Sequence, residues 1–450
     1  MMVHTASALA ADETSIALAI TSSLTNELPH TITSESQKCV LRGTLQLGID
    51  MLRELRHTSP ASALEELLVG SRGSTALQIS AALHIPMESR VSAYFDRCDR
   101  EIPNRRRSDL PRCFDMGYLN NVHHEQTLVA MDAEAHYGDR LRLERFSWVF
   151  VNATEESREG IDNYARLYAN PFEPSDILPK GCITPSSLEC MVSVVNFRGS
   201  WKQAFDDSTV TGDIFHELDG SVTSVVMVHQ TGRFRVAMCA DLSATAIELP
   251  YELVWRSQGL SSRASISGLN TLRTASVTPA TERTCPGPEF SLVVMLPDDK
   301  DGLTSLEEKL SALTALRCFS NLKQRGQVQV SLYFKVKQVI DLAPVMSALG
   351  VRDVFTDSAE LWGSKRGDKR VTLMRHAAAF ETARSGGRRS SRTKQPQSRV
   401  ARLARALGAL LLFPRLRPRV FSVDRPFVFF VTCSRPDAVM LLGSVRKISR

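Results

Sequence analysis

From Cys190 to the carboxyl end the chain is a succession of strand-type stretches: CMVSVVNF, SVVMVH, RFRVAMC, TAIELPY, FSLVVMLP, VQVSLYFKV, FVFFVT and AVMLLGSV. They are rich in β-branched and aromatic residues, which fit a pleated, buried surface. Helical patterns lie mainly before them. Leu47, Met51, Leu52 and Leu55 share one helical face, SALEELLVG stops at Gly70, Ser74 or Thr75 is placed to cap TALQISAAL, and IDNYARLYA runs up to Pro171. Strands and helices do not alternate in a βαβ rhythm. The pattern therefore predicts an α+β fold with large mixed or antiparallel sheets rather than a doubly wound one.

Several function classes are excluded by what the chain lacks. The longest apolar runs, such as Ala409 to Phe413, are far shorter than the ~20 residues that span a bilayer, so no stable membrane insertion is expected. Nine cysteines form no C-x-x-C pair and no regular spacing, and an odd count leaves at least one thiol unpaired. There is no G-x-S-x-G elbow and no glycine-rich phosphate loop, so the sequence offers no enzyme and calls for no cofactor. His123 and His124 beside Glu125 lack a third ligand, and no metal site is expected. Asn152-Ala153-Thr154 is the one N-glycosylation sequon, and Asn152 is its candidate acceptor.

The net charge of +6 is unevenly placed. Eleven Lys or Arg and no acid fall between Arg384 and Arg419, leaving 44 basic against 49 acidic residues elsewhere, a net of −5. A mildly acidic globule thus carries one strongly basic segment. Within it, Arg399, Arg402 and Arg405 line one helical face and Leu403, Leu407, Leu410 and Leu411 the other, a pattern suited to anionic polymers or membrane surfaces. Residues 256–288 are rich in Ser, Thr, Gly and Pro and read as an inserted loop. Residues 1–44 have weak periodicity and read as a poorly ordered tail; the amino-terminal stretch lacks a basic region and carries Asp12 and Glu13 where a leader's apolar core would run.

The carboxyl end, FSVDRPFVFFV followed by AVMLLGSV, resembles the signature of the serpins, the serine protease inhibitor family. Upstream, GSRGSTALQISAAL, the stretch ending in Phe197, Arg198, Gly199, Trp201 and Phe205, then MVHQTGRFRVA, IELPY, LPDD, FKV, SALGVRDVF and RHAAAFE follow in the family's order. The resemblance covers about residues 45–445 and implies one domain over 45–450: a serpin fold with three β-sheets, about eight to nine helices and an exposed reactive loop, here the elongated segment 384–420. It further implies a monomeric, extracellular inhibitor of a serine protease, acting as a suicide substrate whose cut loop inserts into the central sheet as a new strand.

Carried over residue by residue, the resemblance places the hinge at Arg384, Gly386, Gly387 and Arg389, and a gate over the sheet at Ser193, Trp201 and His376. Counting back from Pro426 puts the scissile bond at Arg415-Leu416; counting forward from the hinge puts it near Val400, with Arg399 and Arg402 as alternatives, and these arginines imply a trypsin-like protease. Arg388, Arg389 and Arg392, with Arg105, Arg106 and Arg107, are candidates for a heparin-like glycosaminoglycan; a run such as 105–107 read by itself is a solvated surface.

The chain also departs from the family pattern. Only Gly386 matches the small-residue hinge, Ser193 stands where the gate has Asn and so leaves His376 without that partner, and a strand and helix start are missing after Ser59-Pro60. These departures keep open a non-inhibitory serpin, cleaved as a substrate or serving as a binding scaffold, and a polyanion- or membrane-binding role for 384–419.

Overall fold

The computed structural model describes residues 18–19, 34–55, 68, 71–85, 114–125, 144–169, 177–203, 205, 211–252, 289–361, 369–382, 419–434 and 438–448. The helices are α1 (Ser34–Leu55), α2 (Gly73–Ala82), α3 (Thr154–Ala169), α4 (Leu303–Lys309), α5 (Ala312–Ser320) and α6 (Ala343–Ala348). The strands are β1 (Leu18–Ala19), β2 (Phe114–Glu125), β3 (Glu144–Trp148), β4 (Glu189–Gly199), β5 (Thr211–His216), β6 (Val222–Cys239), β7 (Ala244–Pro250), β8 (Glu289–Pro297), β9 (Lys323–Leu332), β10 (Lys335–Asp341), β11 (Val371–Thr382), β12 (Arg419–Ser422), β13 (Phe427–Ser434) and β14 (Ala438–Val445).

Five strands form one sheet in the order β10-β11-β4-β2-β3, in which β11 and β4 run parallel. Nine strands form the other, β1-β14-β13-β8-β7-β6-β9-β12, with β5 also on β6. The three expected sheets thus appear as one separate sheet and two that share a strand, because β6 pairs first with β5 and, further along, with β7. Six α-helices lie among the described residues.

The FVFFV stretch explains how the layers meet. In β13, Phe427 and Phe429 point the same way and pack on Phe334, at 4.9 and 5.1 Å between ring centroids, while Phe380 of β11 lies 5.1 Å from both Phe334 and Phe429. Phe430 points the other way and meets Phe319 of α5 edge-on at 5.1 Å. A strand apolar on both sides is buried on both sides, and β13 is the slab between the five-stranded sheet and the helices. Its entry is fixed at Arg425, whose Nε donates to Pro297 O at 3.0 Å and whose Nη1 pairs with Asp424.

Two sequence expectations need correction. The helix expected from about Leu45 begins at Ser34, so the tail boundary at 44 falls inside α1. Gly43, which lowers helix propensity, masks this in the sequence; in the fold it is where α1 meets the end of α2, and a Cβ there would sit 2.4 Å from Leu83 O. Gly43→Ala is expected to cost about 1–3 kcal/mol, because backbone rather than a flexible side chain must move; an unchanged urea midpoint would contradict this packing. Nor do Ser74 and Thr75 cap α2: Ser74 Oγ donates to Asp353 and Thr75 Oγ1 accepts from Glu360 N, tying the helix to the segment after α6.

The ends of the unusual segments are informative. β7 and β8 pair antiparallel out to Pro250 and Ser291, so 253–288 joins two neighbouring strand ends. β11 ends at Thr382 in one sheet and β12 begins at Arg419 in the other, so 383–418 connects the two sheets. Both segments lie outside the described residues.

Candidate functional site: the seam between two parallel strands

The seam of the five-stranded sheet is the unbroken pairing of β11 with β4, from Leu373↔Cys190 to Thr382↔Gly199. Parallel neighbours that are far apart in sequence are held only by this ladder and by what packs on its faces. Alternation assigns those faces. Met191, Val195 and Phe197 with Met374, Ala378 and Phe380 belong to the main core. Cys190, Val192 and Val194 with Leu373 and Ala377 belong to a second core that also holds Phe150, Ile161 and Ala165 beneath α3. Both sides of the seam are thus mainly apolar, interrupted by Ser193 and His376 on the first and by Arg375 and Asn196 on the second. Further polar groups lie at its upper end, where Tyr333 donates to Glu381 at 3.2 Å and Arg198 lies 3.9 Å from the same carboxylate. There Thr382 Oγ1 accepts from Phe334 N and donates to Phe334 O, both at 3.0 Å, latching β11 to the start of β10.

His376 and Ser193 face each other across the middle of the seam. The expectation that Ser193 leaves His376 without its partner is corrected: His376 Nδ1 lies 3.2 Å from Ser193 Oγ, since a shorter side chain still reaches when the strands are directly paired. His376 is completely buried, and Nε2 has no hydrogen-bond partner among the described residues. Burial drives its pKa down to about 3 against a smaller upward pull from Ser193, so the ring is neutral. An unfolded histidine takes up a proton near pH 6.5 and the buried one does not, so this group's contribution is complete above pH 6.5 and is lost as pH falls toward 3. Between pH 6.5 and 5 that is about 2 kcal/mol. Unfolding midpoints should fall more steeply over that interval in the natural chain than in His376→Gln; parallel pH profiles would contradict a neutral buried His376.

Trp201 lies just above the seam, buried and stacked on Tyr251 at 4.7 Å, with Phe205 at 5.6 Å. The Trp201↔Tyr251 bridge joins the end of β4 to the end of β7 and so links the two sheets. Gly199 is required beside it, because a Cβ would fall 2.5 Å from the Tyr251 ring. Trp201 is thus a core anchor, as its apolar context indicates.

The structure brings together Ser193 and His376, sets Trp201 apart from them beyond the end of β4 against Tyr251, and places Asn152 in an exposed turn before α3. Arg384, Gly386, Gly387, Arg388, Arg389, Arg392, Arg399, Val400, Arg402, Arg415 and Leu416, with Arg105, Arg106 and Arg107, lie outside the described residues. Sequence reading missed Thr382 and Tyr333; the only signal was their position beside FKV and RHAAAFE, which gives no hint of a latch. His123 and His124 lie in β2 opposite Cys190 and Glu189, and no group of three metal-binding side chains gathers among the described residues. The Cys190 thiol is pushed up to about 12 by burial and, less, by neighbouring Cys182, which leaves it protonated and no nucleophile. Among the described residues, no helix is long and apolar enough to cross a membrane.

The comparisons with known proteins match this geometry. The family model described as serpin (serine protease inhibitor) matches residues 58–262 and 280–448. The chain belongs to the serpin family. The matched stretches leave out 263–279, inside the Ser/Thr-rich segment expected to be an insertion. Among curated serpin relatives, Ipis-1 of Ixodes persulcatus is 28% identical over 405 residues, 87% of this chain and 90% of the relative. The leukocyte elastase inhibitor of Homo sapiens is 24% identical over 419 residues, 88% of this chain and 96% of the relative. Among solved serpin structures, uncleaved ovalbumin superposes with a TM-score of 0.67 at 21% identity, covering 91% of this chain and 99% of ovalbumin. Serpin-12 of Manduca sexta gives 0.66 at 16% identity, covering 90% and 98%. At these identities the structural likeness speaks for the fold.

Proposed function

We propose that this serpin offers its 384–420 segment to a trypsin-like serine protease as a suicide substrate, that the seam between β4 and β11 is where the cut loop must enter, and that most encounters end in cleavage rather than covalent trapping. The observation that carries this reading is the mainly apolar lining of both faces of the seam, whose buried polar groups, Ser193 with His376 and Asn196, include no acid to pair an entering arginine. Arg388 and Arg389 are adjacent, so in an inserted strand one faces each side whichever register is taken. A guanidinium buried without a partner costs several kcal/mol, and Gly387 adds the entropy of ordering a glycine. Insertion is therefore slowed, and the acyl-enzyme has time to hydrolyse.

The protease class follows from Arg399, Arg402 and Arg415 as cleavage positions, with Arg415-Leu416 preferred because it lies at the family's spacing from Pro426. Mass spectrometry during brief digestion with substoichiometric trypsin should show the first cut after one of these arginines; a loop protected while other sites are cut would overturn the assignment. The relatives named as elastase inhibitors favour the inhibitory class in general. The non-inhibitory reading is favoured by the hinge composition, and the two differ in how much covalent complex forms.

A further inference from the structure

We propose that Asn152 carries an N-linked glycan, seated over an apolar turn at the start of α3. The sequon Asn152-Ala153-Thr154 occupies the turn between β3 and α3, and Asn152 is exposed with no side-chain hydrogen bond among the described residues. The turn itself is held from within: Ala153 N donates to Val149 O at 3.2 Å, Ser157 N to Ala153 O at 3.0 Å, and Ser157 Oγ to Val149 O at 3.2 Å. A glycan therefore projects from a rigid mount without disturbing it.

What surrounds the acceptor is unusual for a turn. Val149 and Val151 are 38% and 48% exposed, aliphatic side chains turned to water immediately beside Asn152. The first sugars of an N-glycan present apolar C–H faces that cover such side chains. A separate feature points to the compartment in which this modification happens: Cys239 at the end of β6 is bridged to Cys318 in α5, with Cα atoms 5.9 Å apart, and such bonds form and persist in oxidising compartments. In the transfer, Asn152 Nδ2 attacks the anomeric carbon of a lipid-diphosphate-linked oligosaccharide. The new C–N bond replaces the C–O bond to the diphosphate, which leaves with the lipid, and Nδ2 gives up one proton.

None of this depends on the protease reading. The test is the full chain, carried into the secretory pathway of cultured eukaryotic cells by a fused cleavable leader. The exported protein should lose one glycan on treatment with a peptide N-glycosidase, which hydrolyses the glycan-bearing amide and so converts Asn152 to Asp, and non-reducing peptide mapping should recover Cys239 joined to Cys318. Asn152→Gln should abolish the mobility shift and bind an apolar dye severalfold more strongly, and Val149→Ser with Val151→Ser should remove that increase. Folded, exported chain unmodified at Asn152 overturns the proposal; a glycan whose loss leaves dye binding unchanged overturns its role as a cover.

Discussion

The natural chain should leave a heparin column at much higher salt than a variant in which Arg388, Arg389, Arg392, Lys394, Arg399, Arg402, Arg405, Arg415 and Arg417 are changed to Gln. Eleven cations and no acids lie between Arg384 and Arg419, while the rest of the molecule carries a net of −5. With a Debye length of about 8–10 Å at physiological salt, that diffuse negative charge does not cancel the local field. Binding then follows counterion release: for double-stranded DNA, six or more neutralised phosphates correspond to a loss of about a thousandfold in affinity between 50 and 200 mM salt. Substitution is preferable to deletion, because the segment connects Thr382 of one sheet to Arg419 of the other. Elution of both proteins at the same salt would exclude the basic segment and move the site to Arg105–Arg107.

The second large effect is expected at the hinge. Arg389→Ala combined with Gly387→Thr removes a cation and a glycine from the strand that has to enter the seam, and the yield of detergent-stable complex with trypsin should rise severalfold. The reason is a rate competition. Insertion opens the β4–β11 ladder and slides the new strand between Phe197 and Phe380 on one side and the core under α3 on the other. Removing a several-kcal/mol penalty from that step favours it over deacylation by the same factor. An unchanged yield would mean that something other than the hinge, such as the latch at Thr382 and Phe334, limits entry.

Much of the strand architecture was legible because the strands after Pro185 are apolar enough to be recognised one by one, and β4, β7, β8, β13 and β14 lie where those runs lie. β2 and β3 were not. FDMGYLNNVHHE is too polar to read as a strand of a core sheet, and it becomes a strand through its pairing with β4 over Phe114–His124. The early start of α1 was hidden by Gly43, whose value is tertiary: it admits the Leu83 carbonyl. At the site, the family pattern led to His376 and Ser193 but misjudged their relation, since a motif records residue types and not the distance across a closed ladder. The Thr382 latch was illegible for the same reason, because one hydroxyl serving both backbone groups of Phe334 is a property of β10 and β11 together.

The account turns on one competition, between insertion at the seam and release of the cut loop. Equimolar trypsin and the natural chain, quenched at short times and resolved by denaturing electrophoresis, measure it directly. The account predicts mostly cleaved serpin and free trypsin, with a minor covalent band. Near one-to-one conversion to covalent complex would contradict it, showing that the arginine-rich hinge enters the apolar seam without hindrance.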